Sequence, residues 1–204
     1  MARRVSLVMT VTMTLSVGMI TPGLAWSDTH ERTEQALAAE IDQVLREHGG
    51  TKTAPNEITW HPEGAGTVVL SLPTASGTPS PVKDDPARYA YGCPVNWYCL
   101  YENKNFNGLK AAGETGPGAG RLLKWSRFYC DTGAKGRYLE LGDYGFRDRA
   151  SSWVNATSDR FVGVGNWRAF PKFDTLWYMN PNSAAGYVGD TNDDKADLVW
   201  SCTH

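Results

Sequence analysis

Two stretches of this 204-residue chain share one pattern. The first runs Gly142-Asp143-Tyr144-Gly145-Phe146-Arg147-Asp148-Arg149-Ala150-Ser151-Ser152-Trp153, and the second Gly189-Asp190-Thr191-Asn192-Asp193-Asp194-Lys195-Ala196-Asp197-Leu198. Each opens Gly-Asp, crosses turn residues, and reaches Asp, a basic residue, Ala and a small oxygen-bearing residue, Ser151 or Asp197. An apolar run follows both, Trp153-Val154 in one and Leu198-Val199-Trp200 in the other. Copies about 46 residues apart are the mark of a duplicated supersecondary unit. The C-terminal half must therefore build the same small unit twice and bury both copies in one core.

Short β-type runs surround these copies: Trp97–Tyr101, Arg137–Leu141, Ser152–Val154, Phe161–Val164, Leu176–Met179 and Leu198–Trp200. Turns rich in Gly, Asn and Asp separate them, which predicts a sandwich of antiparallel sheets. In Arg137–Leu141, Leu139 and Leu141 fall on one face and Tyr138 and Glu140 on the other, the alternation of a strand.

The chain ahead of residue 90 has a different composition. Arg3 and Arg4, the apolar stretch Val5–Ile20 and the small residues Gly23-Leu24-Ala25 predict a signal peptide over 1–25, hence an exported, extracellular protein. Residues 28–48 read as a helix, with Leu37, Ile41, Val44 and Leu45 on one face and Gly49-Gly50 as its stop. Glu57–Trp60 and Thr67–Leu72 read as a hairpin. Helix and hairpin form a small α+β module over 26–72, marginal alone because small domains bury little of their surface, and a possible pro-segment. Residues 73–89, with Pro73, Pro79, Pro81 and Pro86, read as a linker to a domain over 90–204.

Twenty basic side chains stand against 22 acidic ones, so no long-range field favours nucleic acid or an anionic membrane. Four cysteines, Cys93, Cys99, Cys130 and Cys202, predict two disulfides in an exported chain. Three pairings are possible, and Cys93–Cys99 closes the shortest loop. Zinc is disfavoured, since no His lies between residues 90 and 203. No nucleophile elbow, His-Glu-x-x-His or phosphate loop occurs, so an enzyme is not expected and no catalytic residue is assigned.

Tyr101, Phe106 and Gly108 resemble the Greek-key signature of the βγ-crystallins, in which Gly takes a backbone angle forbidden to a side chain. Arg147-Asp148-Arg149-Ala150-Ser151-Ser152 resembles the calcium consensus of that fold. Cys93-Pro94-Val95-Asn96-Trp97-Tyr98-Cys99-Leu100-Tyr101 is similar to the opening of the secreted proteins of peptidase inhibitor family I36. The resemblance covers about residues 90–204. It implies a mainly β fold, a βγ-crystallin-like double Greek-key sandwich after the helix-plus-hairpin module. It also implies calcium as a cofactor, held by Asp148 and Ser151 at one site and by Asp194 and Asp197 at the other. The chain departs from the consensus at Arg147, and in the second copy at Asp197 and Leu198.

The function so implied is a secreted inhibitor of metallopeptidases that occludes the cleft with a rigid loop. Its partner would be a secreted metallopeptidase, met by a monomer and not by nucleic acid or a membrane. Candidate contact loops are Asn103–Gly108, Gly113–Gly120 and Trp167–Asp174. The alternative is a calcium-binding or polysaccharide-binding secreted module without inhibitory activity, since Trp97, Trp125, Trp153, Trp167, Trp177 and Trp200 supply aromatic faces.

Overall fold

A computed structural model of the chain describes residues 25–62, 66–74, 91–108, 120–126, 138–169 and 172–200. The chain begins there with helix α1 (Ala25–His48). Its apolar stripe is the expected one: Ile41 and Val44 are buried, and Leu37 and Leu45 pack partly against the same core. Gly49, at φ 67°, ends the helix by donating to the Leu45 carbonyl at 3.0 Å. Gly50 follows at φ 96°, and a Cβ there would sit 2.7 Å from the Trp60 indole. That indole donates to the His48 carbonyl, so the double glycine both stops the helix and admits the ring that caps it.

Strands β1 (Thr51–Ala54), β2 (Glu57–Trp60) and β3 (Val68–Ser71) form an antiparallel meander. The β2–β3 pair is the expected hairpin. β1 is an addition, invisible in sequence because Thr51-Lys52-Thr53 is solvent-facing and carries no apolar alternation. β3 pairs in turn with β5 (Leu122–Trp125), which pairs with β4 (Tyr98–Tyr101), then β7 (Ser152–Asn155) and β10 (Ser183–Ala185). The first sheet thus has seven strands, and the segment before the linker supplies three of them. The second has four, ordered β6 (Leu139–Glu140), β11 (Leu198–Trp200), β8 (Val162–Ala169) and β9 (Lys172–Met179). All pairings are antiparallel, and the chain is mainly β. No helix among the described residues is long and apolar enough to cross a membrane.

Each half of the sandwich gives its third strand away. β6 leaves its own half to lie beside β11, and β10 leaves to lie beside β7. The two halves of the sequence are consequently locked to each other by backbone pairing as well as by side chains.

Between the sheets lies the main core, with Val68, Leu70, Leu100, Leu123 and Trp125 from one side and Leu139, Val162, Val164 and Val199 from the other. Ile41, Val44 and Ile58 from the N-terminal segment belong to this same cluster. The opposite face of the first sheet is also covered, by Cys93, Cys99, Tyr101, Leu122 and Val154. Being buried on both faces, β5 carries two adjacent buried leucines and shows no period of two, which hid it in sequence. Arg137–Leu141 is corrected to a strand of two residues, because the chain turns into a single 3-10 turn at Leu141–Tyr144 that buries Leu141 and Tyr144 and ends at Gly145, φ 67°.

Polar contacts reinforce the junction of the N-terminal segment with the rest. Lys124 of β5 reaches across β3 to Glu57 of β2 at 2.9 Å, and Ser71 donates to the same carboxylate at 2.7 Å. Burial alone would raise the Glu57 pKa, but the Lys124 charge and the two hydrogen bonds outweigh it and hold the value below the ordinary 4.5. Arg121 grips Glu40 of α1 at 2.6 Å.

Leu70→Ala, a change confined to the N-terminal hairpin, is expected to cost about 3 kcal/mol. Urea unfolding followed by tryptophan fluorescence and far-UV circular dichroism should give one coincident transition. A separate early transition would show that residues 25–74 unfold independently. Because the Glu57 pKa is lowered on folding, its stabilisation is present above pH 4.5 and is lost as pH falls through the folded-state value. Lys124→Met should flatten that limb of the stability–pH curve, measured by denaturation between pH 3 and 6.

Candidate functional site

Cys93 and Cys99 are joined, with Cα atoms 5.8 Å apart, as the short spacing favoured. Cys130 and Cys202 lie outside the described residues. The closed loop leads into β4, whose last residue, Tyr101, is wholly buried. Its hydroxyl donates to the Tyr91 carbonyl at 2.9 Å. Burial, with Tyr91 beside it, pushes the phenol well above its ordinary range, so it stays protonated as a donor.

The backbone then enters a left-handed turn. Asn105, Phe106 and Asn107 have φ of 52°, 57° and 59°, and Gly108 follows at 75°. For residues with a Cβ this conformation costs about 1–2 kcal/mol each, least for Asn. The surroundings hold it in place. The buried Asn107 amide donates to the Gly120 and Arg121 carbonyls and accepts from the Asn103 N–H. Ser152 accepts from the Phe106 N–H and donates to the Asn103 carbonyl. The Asn105 N–H reaches the Gly186 carbonyl at 2.7 Å. Phe106 stacks on Tyr91 at 3.7 Å and meets Tyr101 edge-on. Gly120, at φ 140°, is required here, since a Cβ would lie 2.5 Å from the Asn103 amide.

The anchors are inside and the tip is outside: Asn103, Lys104 and Asn105 are exposed. The Lys104 ammonium lies 3.7 Å over the Tyr187 ring and about 4 Å from Asp190 and Asp193. The Tyr187 side chain, with those carboxylates, raises its pKa. Tyr101, Phe106 and Gly108, grouped by sequence, thus form the strand end, ring clamp and exit of one turn. Asn107, which holds it, was not singled out, although Asn107-Gly108 is itself a turn signal, and Ser152 was read only within the calcium consensus.

The two repeated stretches lie behind this turn and exchange backbone bonds. The Leu141 N–H donates to Asp197 and the Val188 N–H to Ser151, at 2.8 and 3.0 Å. The Ser151 N–H donates to Tyr101 and the Asp197 N–H to Gly165, both at 2.9 Å. Asp148 and Asp194 share φ 53°, and Ala150 and Ala196 are both fully buried. The duplication read in sequence is a structural equivalence at these positions.

The side chains assigned to calcium are crossed between the copies. Asp148 is raised in pKa by burial, then by the Asp197 carboxylate, with relief from Arg147 and a further push from Asp194. Asp194 is raised by burial, then by Asp193 and Glu102, and relieved by Arg149 and Lys104. The chain's own donors engage the oxygens. Arg147 lies 3.3 Å from Asp197, which also accepts from the Trp167 N–H. Arg149 pairs with Glu102, which also accepts from the Arg121 N–H. Ser151 donates its hydroxyl to the Glu102 carbonyl. Among the described residues no three Asp, Glu, His or Cys side chains converge as metal ligands. Of the four side chains assigned to calcium, Asp197 is thus paired with a guanidinium and Ser151 with a carbonyl, which leaves the Asp148 and Asp194 carboxylates.

The other expected contact loops fare differently. Of Gly113–Gly120 only Gly120 is described. Trp167–Asp174 is corrected from a loop to ladder: Trp167 faces Phe173 and Asn166 faces Asp174. Register shifts at Val164/Gly165 and Trp167/Ala169 broke the alternation that would have revealed it.

Residues 86–164 match the model of a family described as peptidase inhibitor family I36. The match takes in the disulfide loop, the left-handed turn and the first repeated stretch, and ends before the second. No curated protein and no solved structure matches the chain.

Adding excess calcium, or removing it with chelator, is expected to leave the thermal midpoint unchanged. A midpoint that climbs with calcium concentration, as ligand linkage demands of a native-state binder, would show that the carboxylates release their arginines.

Proposed function

We propose that this protein is a secreted inhibitor of metallopeptidases that blocks the cleft with the exposed segment Asn103-Lys104-Asn105. The export signal expected over residues 1–25 and the family match over residues 86–164 support the reading. The observation that carries it is the left-handed turn, anchored from within and exposed at its tip. A segment already held in one conformation loses little entropy on docking. A peptidase takes its substrate as extended chain. Residues 105–107 cannot extend without breaking the bonds to Ser152, Gly120, Arg121 and Gly186, so the turn fills a cleft and resists being threaded through it. The metallopeptidase class rests on the family resemblance. The strand exchange supports reading the sandwich as two linked Greek keys of the βγ-crystallin kind. The pairing of β3 with β5 supports retention of residues 26–89 in the active protein, as part of the inhibitor.

The full exported chain should inhibit at least one thermolysin-like or small secreted metallopeptidase in a panel assay. Lys104→Ala and Asn105→Gly, which keeps the left-handed backbone unstrained, should each weaken inhibition about tenfold while the thermal midpoint holds. No inhibition by the unaltered protein across that panel would remove the role. Inhibition indifferent to both substitutions would move it off this turn.

A further inference from the structure

The outer face of the second sheet carries a feature that the core does not need. Val162, Val164 and Val199 point inward, so Gly163, Gly165 and Trp200 point outward. Gly163 pairs directly with Trp200, and a Cβ on Gly163 would lie 2.2 Å from the indole. A Cβ on Gly165 would lie 2.9 Å from Phe173 and 3.0 Å from Trp200. Two glycines thus let the Trp200 ring lie down on the backbone as a floor. Phe173 rises beside it at 52° with centroids 4.8 Å apart, and Tyr178 at 74° and 6.3 Å. The rings continue to Trp167 and Tyr138 on the Phe173 side, and to Phe161 on the Tyr178 side.

None of these six rings belongs to either core cluster. Tyr178 is 53 % exposed, one of two large apolar side chains so exposed among the described residues. The other five are half-buried, and a continuous row of rings reaching solvent outside the core marks a binding surface. Its polar companions narrow the ligand. Glu140, neighbour of the inward Leu139 and so on this outer face, accepts from the Trp167 indole, whereas Arg168 and Asp174 pair on the opposite face of the β8–β9 hairpin. The charge beside the rings is therefore the Glu140 carboxylate, which repels nucleic acid or another polyanion and accepts from hydroxyl groups.

We propose that this face binds a neutral linear polysaccharide, with one pyranose ring seated on Trp200 between Phe173 and Tyr178. The C–H face of the sugar covers the indole, its hydroxyls meet the Glu140 carboxylate at the edge, and the remaining rings extend the track. The site lies on the second sheet, while the left-handed turn follows a strand of the first, so it does not depend on the inhibitory reading.

The test uses the full exported chain on insoluble chitin and cellulose, with chitohexaose and cellohexaose titrations read by tryptophan fluorescence, size-exclusion chromatography, and metallopeptidase inhibition in parallel. Retention on at least one matrix is expected. Tyr178→Ala should weaken it about tenfold, and Trp200→Ala should abolish it, with inhibition and thermal midpoint preserved in Tyr178→Ala. Failure of both matrices to retain the protein, or Tyr178→Ala binding as well as the unaltered chain, overturns the proposal. A dimer that disperses in Tyr178→Ala also overturns it, by naming a second copy as the occupant. Because inhibition is measured on the same samples, loss of sugar binding is separable from loss of inhibition.

Discussion

Two backbone hydrogen bonds, from Leu141 to Asp197 and from Val188 to Ser151, tie each half of the sandwich to the other. They are the consequence of strand exchange: β6 and β10 find their pairing partners only in the opposite half. A half taken alone would leave the ladder groups of its third strand unpaired, and unpaired buried peptide groups are costly. The duplication therefore produces two interdependent units. The constraint also explains the residues at the crossing. The alanines at positions 150 and 196 are fully buried, and the left-handed Asp148 and Asp194 turn the chain at equivalent points.

The same crossing sets the electrostatics. Exchange brings carboxylates from both copies together, and Asp148 and Asp194 feel the charge of their neighbours. Like charges at close range must be relieved by protonation, by a metal ion or by a fixed cation. Arg147 and Arg149 supply fixed cations here, and Arg147 sits where the first copy departs from the calcium consensus. A guanidinium is permanently charged and offers a planar fork of donors to carboxylates, so it answers the same physical demand without an exchangeable ligand.

The first sheet is covered on both sides. Helix α1 and the second sheet close one face, and the disulfide loop with its aromatic clamp closes the other. This double cover fixes the Asn103–Gly108 turn, because Asn107 is buried and Phe106 half-buried within it while the tip is outside. The N-terminal hairpin extends that sheet and buries Ile58, Val68 and Leu70 in the common core. Its removal would bare the edge of β5 and part of the interior at once.

Residue pattern alone determined the helix stripe of Leu37, Ile41, Val44 and Leu45, the β2–β3 hairpin and the kinship of the two repeats, and it favoured the Cys93–Cys99 pairing. Each depends on local spacing, which a chain carries in its order of residues. β5, the exchange of third strands and the docking of the hairpin onto β5 were decided by tertiary structure, since a strand buried on both faces loses its period and a pairing partner some fifty residues away leaves no local trace. The roles of Asn107, Ser152, Arg147 and Arg149 came from the same source. Each acts on a group that only the folded chain brings within hydrogen-bond or ion-pair distance, and the energy of such contacts depends on that proximity and not on sequence spacing.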